Sequence, residues 1–81
     1  MATPGRHAAT QRAARKELAR LERSLARLRA REAELHEQLT VAVADHERVL
    51  ALDTELRAVL GERSQTEDRW LELAEQTEES G

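Results

Sequence analysis

Cysteine, phenylalanine and tyrosine are absent from this 81-residue chain, which has one tryptophan, one proline and three glycines. Without cysteine there can be no disulfide and no thiolate metal site, a usage that suits the cytosol. So short a chain with a single aromatic residue cannot build a sizeable globular core or an enclosed catalytic pocket. Neither enzymatic activity nor catalytic residues, cofactor or metal is therefore expected. No apolar run approaches membrane-spanning length, and Met1 to Lys16 holds no hydrophobic segment that could serve as a secretory signal. The chain reads as cytoplasmic, without a membrane partner. Its start has no acidic residue and contains Arg6, Arg12 and Arg15, which also fits a mitochondrial transit peptide; a frayed basic arm is the reading adopted.

What is present is charge and leucine. Charged residues make up 36% of the chain and hydrophobic ones 40%, with Ala, Glu, Leu and Arg dominant, the composition of a long helix or coiled coil. The net charge of -3 hides a division. Residues 1 to 31 hold nine basic residues against Glu17 and Glu22, giving +7, whereas residues 32 to 81 hold four basic and fourteen acidic, giving -10. The two halves attract each other.

Leu18, Leu21, Leu25, Leu28, Leu35 and Leu39 recur at alternating steps of three and four, interrupted only by Glu32. This is a heptad seam that another helix must cover. On the opposite face Arg12, Lys16, Arg20, Arg23 and Arg27 follow at helical spacing, spanning about 22 Å. Residues 1 to 9 contain Thr3-Pro4-Gly5 and no apolar period, so they are expected to be a disordered basic arm. Thr10 is a candidate N-cap for a first helix over about 10–39. From Thr40 to Asp45 the period fails, through Thr40, Val41 and Val43, weak helix formers, to Asp45, a good N-cap. A shifted frame then places Val49, Leu52, Leu56, Val59, Trp70 and Leu73 on a second seam. We therefore expect a turn over about 40–45 and a second helix over about 46–74, with 77–81 a frayed acidic tail because Glu78 and Glu79 oppose the negative helix end. The fold class is all-α: an antiparallel two-helix coiled-coil hairpin over 10–76, about 40 Å long. Its expected core is Leu18, Leu21, Leu25, Leu28, Leu35, Val49, Leu52, Leu56, Val59, Trp70 and Leu73.

One register sets Leu35 against Val49, Leu28 against Leu56, Leu25 against Val59 and Ala14 against Trp70. Flanking positions then match as Arg15 with Glu67, Glu17 with Arg69, Arg29 with Asp53 and Arg31 with Glu55, all of opposite sign; a slip of one heptad sets like charges together. Polar Glu32, Arg63 and Thr66 on the seam make an isolated hairpin marginal, which suggests part of something larger or a fold completed by a partner.

The basic face, Arg12, Lys16, Arg20, Arg23 and Arg27, is the candidate nucleic-acid site, set against the alternative of a plain solvated helix face. It has no interleaved aromatics, so it promises phosphate contacts rather than base stacking. His36 and His46 are too sparse for a metal site. Glu32 with Glu37, or Asp45 with Glu47, lacks a pocket that would tune them for acid–base work. Trp70 reads as the large member of a core layer over Ala14 rather than as a ligand platform. Leu50 and Leu71 point outward and hint at a protein partner.

The stretches Arg31-Glu32-Ala33-Glu34-Leu35-His36-Glu37, Asp45-His46-Glu47-Arg48 and Arg69-Trp70-Leu71-Glu72-Leu73-Ala74-Glu75 stand in an order and spacing that resembles the C-terminal coiled-coil domain of ABC-F ATPases of the Uup type, a likeness over roughly Gln11 to Gln76. In that family a proline often follows the turn aspartate; here His46 stands instead. The resemblance implies an antiparallel helical hairpin attached to ATP-binding cassettes, with DNA binding in Uup-like members and ribosomal RNA as the target of relatives. The chain has no phosphate-loop motif of its own, so any ATPase activity would belong to a longer protein or a separate polypeptide. The resulting expectation is a nucleic-acid-binding module, and the alternative is a coiled-coil adaptor or oligomerisation module that uses the acidic face of Asp68, Glu72 and Glu75 or the exposed leucines.

Overall fold

A computed structural model describes the backbone of residues 4–80 and the side chains of residues 7–77. Two helices, α1 (Pro4–Val41) and α2 (His46–Ser80), fold back on each other as an antiparallel hairpin. Both are longer than the periodicity indicates. Thr10 lies within α1 rather than capping it, and residues 4–9, expected to be disordered, are helical. Pro4 is compatible with a first turn because it has no N–H to leave unpaired, and the alanines at 8, 9, 13 and 14 are the best helix formers available. At the other end α2 continues to Ser80, since an unfavourable charge near an exposed helix end costs only about 0.3–1 kcal/mol. Met1 to Thr3 of the expected arm and Gly81 of the expected tail lie outside the described residues. These longer helices give a rod of 67 × 14 × 14 Å in place of the expected 40 Å length.

The turn shows why α1 stops where it does. The Ala42 N–H still bonds the Gln38 carbonyl at 2.9 Å, after which the Asp45 N–H bonds the Ala42 carbonyl at 2.8 Å and closes the reversal. Asp45 then caps α2: its Oδ1 accepts from the Arg48 N–H at 3.1 Å, and its carbonyl accepts from Val49 N–H at 2.9 Å. His46 is the first residue of α2, a position that proline also occupies readily, so the departure from the family's proline leaves the turn intact.

The core is divided. Next to the turn, Leu35, with no exposed surface, clusters with Leu52, Leu56 and Val59, and Leu28, Leu39, Ala42 and Leu60 pack around them. Toward the open end Leu21, Leu25 and Leu73 are buried and Leu18 and Trp70 half-buried; of the expected core residues nearer the turn, Leu28 and Val49 are also half-buried. Between the two regions the seam carries a polar layer. Arg63 Nη1 donates to Glu32 Oε2 across the helices, and the buried Arg63 Nε lies 3.1 Å from Glu67 Oε1 without the alignment of a hydrogen bond. Thr66, the other polar seam residue, turns its hydroxyl back to the Glu62 carbonyl at 2.8 Å, which satisfies it locally.

The register differs from the one that charge matching selects. Of the four expected ion pairs, only Arg31 with Glu55 forms, both carboxylate oxygens accepting from Nη2 at 2.7 Å. Glu17 pairs instead with Arg20, Asp53 with Arg57, Glu67 with Arg63 and Arg69 with Glu72, all within one helix. Partners three or four residues away are already held side by side, whereas a cross-helix partner must also be ordered. Nor does Trp70 lie over Ala14: its Nε1 donates to Glu22 Oε1 at 3.3 Å, about two turns further along α1.

Candidate nucleic-acid interface

Of the five cations expected on the outward face of the first helix, Arg20 and Arg27 stand nearer the seam, lining a groove between the helices with Leu21, Leu28, Glu62 and Thr66. Arg12, Lys16, Arg20, Arg23 and Arg27 are all exposed, but their charges are not equally available. Arg20 grips Glu17 with two bonds, Nη2 to Oε1 at 2.5 Å and Nε to Oε2 at 2.9 Å. These bonds hold the Glu17 carboxyl below its usual range, with a smaller contribution from the charges of Arg20 and, across the hairpin, Arg69. The same pair raises the Arg20 guanidinium above its ordinary value. Arg27 Nη2 donates to the neutral Ser24 hydroxyl at 3.1 Å and has no carboxylate partner among the described residues. Arg12, Lys16 and Arg23 make no ion pair among the described residues.

Two further cations join them. Arg15 and Arg29, which the expected register would neutralise with Glu67 and Asp53, are exposed and without ion pairs among the described residues. Sequence reasoning misses them because it assigns them partners. Arg31 is different: the hydrogen bonds it donates to Glu55 first and Glu34 second raise its pKa, and it is held between the helices. Among the described residues of α1, the cations without a carboxylate partner are thus Arg12, Arg15, Lys16, Arg23, Arg27 and Arg29, spread over its exposed side and both flanks.

The other expected surface features are also located. Leu50 and Leu71 are 55% and 51% exposed, and Val41 and Val43 project at the turn with 87% and 79% exposure. Asp68, Glu72 and Glu75 are exposed on α2. Among the described residues no group of His, Asp and Glu is placed to hold a metal ion, and no helix is long and apolar enough to cross a membrane.

Fold and surface together define a two-helix coiled-coil hairpin, its leucine seam internal and its basic residues concentrated on one helix. The model of the ABC transporter C-terminal domain family matches residues 10–75, and the chain belongs to that family. Comparison of the chain with curated proteins and with solved structures found no match.

Proposed function

We propose that this hairpin is a non-enzymatic nucleic-acid-binding module, acting in the cytoplasm beside the ATP-binding cassettes of an ABC-F type ATPase and engaging DNA or ribosomal RNA through phosphates. The observation that carries the reading is the row of exposed basic residues Arg12, Lys16, Arg23 and Arg27 along α1, none of them held by a carboxylate among the described residues. Cations in such a row displace counterions from a phosphate backbone and give affinity without sequence preference. Family membership supports the attachment to ATPase cassettes, which this chain does not contain.

The test is a titration of the chain against duplex DNA and structured RNA at several salt concentrations. If four or five cations displace counterions from duplex DNA, log affinity falls against log salt with a slope of about -4 to -5. Replacing Lys16, Arg23 and Arg27 together with Gln keeps helix propensity, so it should weaken binding to all sequences and flatten the slope while helicity is unchanged. Arg31→Gln is the control, since Arg31 is committed to Glu55 and Glu34. If the triple variant binds as well as the parent at low salt, the basic row is a solvated face. A protein adaptor using the half-exposed Leu50 and Leu71 then becomes the better reading.

A further inference from the structure

On one flank of the hairpin, a groove between the helices is lined by Glu22, Leu25, Arg29, Glu67, Trp70 and Leu71. It brings together what the sequence keeps apart, the chain's one aromatic side chain and a cation of the basic half. The bond from Trp70 Nε1 to Glu22 ties the indole to α1, which fixes the ring in the groove instead of in the core. Leu71 beside it is 51% exposed, and Arg29 has no carboxylate partner among the described residues. Arg15, Glu22 and Arg29 follow one another at seven-residue intervals, so they form one row on this flank with a cation about 10 Å to either side of Glu22.

We propose that this groove is a nucleobase subsite: a single unpaired base stacks on Trp70 against Leu71, while Arg29 and Arg15 hold the phosphates on either side of it. The inference rests on the phosphate-binding reading and adds a preference for single strands. An indole beside a leucine offers the flat apolar surface on which any base stacks, and a neighbouring guanidinium adds to that attraction. The carboxylates of Glu22 and Glu67 orient the guest. They repel a phosphate from the groove, leaving it to the arginines, and they accept hydrogen bonds from the amino groups of a base. A duplex keeps its bases stacked internally and can use the cations only.

Because Trp70 is the sole tryptophan and there is no tyrosine, its emission reports on the groove alone. The chain is titrated at low salt with a mixed-sequence single-stranded oligonucleotide, the same length of duplex, and an abasic strand that keeps the phosphates. The single strand is expected to quench the emission, while the abasic strand and the duplex bind with emission unchanged. Trp70→Leu should lower affinity for the single strand by about 5- to 100-fold and leave the abasic strand unaffected. Circular dichroism checks that variant's helicity, and the fluorescence comparison on the unaltered chain stands without it. If the abasic and base-bearing strands bind equally and leave the same emission, the subsite is overturned and the phosphate reading survives. If nothing binds at low salt, both fall.

Discussion

The two ends of the hairpin are built differently. Next to the turn, Leu35, Leu52, Leu56 and Val59 close on one another around a residue with no exposed surface. Beyond the Glu32 and Arg63 layer, buried leucines alternate with half-buried Leu18, Thr66 and Trp70, and a groove opens beside the indole. The difference separates two tasks. The turn end holds the helices together; the open end carries the unpaired cations of α1 and the half-buried aromatic, and less apolar packing there opposes local rearrangement.

The sharpest way to break this comparison is to make the same substitution at both ends. Leu35→Ala removes the most buried side chain among the described residues and should cost about 2–5 kcal/mol, enough to unfold much of a hairpin with so small a core. Leu18→Ala, at a half-buried position, should cost less than half as much. Urea titrations followed by helicity measure both. Equal losses would mean that the core is one continuous unit.

Next in size is the layer that separates the ends. Glu32 and Arg63 side chains keep 20% and 33% of their surface exposed, so the pair is only partly desolvated. Arg63→Met leaves the Glu32 carboxylate facing apolar neighbours with His36 3.8 Å away as its remaining basic contact, and should cost about 1–3 kcal/mol. Replacing both residues with Leu should restore or exceed the parent stability, because the seam becomes continuous. The double variant is then the one to examine for slipped registers or oligomers, since a polar layer on a leucine seam fixes alignment.

How far the sequence discloses this molecule follows the same division. The leucine spacing at three and four residues reveals the seam, because burial of a helix stripe admits no other period, and Thr40 to Asp45 reveals the turn through weak helix formers and a cap. The register is not legible. Exposed ion pairs are worth about 0–1 kcal/mol each, so matching four of them decides little once Glu17, Asp53, Glu67 and Arg69 have partners on their own helices. Glu32 and Arg63 are visible as polar interruptions of the seam, and their opposite signs are the signal that they answer each other. Trp70 misleads because a heptad position suggests full burial, whereas a long side chain leans along its helix toward the N-terminus and meets residues well away from its own level. The groove follows from that lean.

The smallest expected effect concerns Glu17, whose two bonds withdraw Arg20 from the basic row. Glu17→Gln removes one negative charge and releases Arg20, so affinity for duplex DNA should rise and the slope of log affinity against log salt should steepen by about 0.9, one counterion more. Stability should move the other way and only above the acid range. Because the folded-state pKa of Glu17 lies below the usual carboxylate range, its contribution is present above that range and disappears as pH falls through the folded value. Thermal unfolding of parent and variant should therefore differ slightly near neutral pH and converge in acid. A variant with unchanged salt slope would show that Arg20 does not meet phosphate even when unpaired, which would confine the contact surface to Arg12, Lys16, Arg23 and Arg27 and the flank beside Trp70.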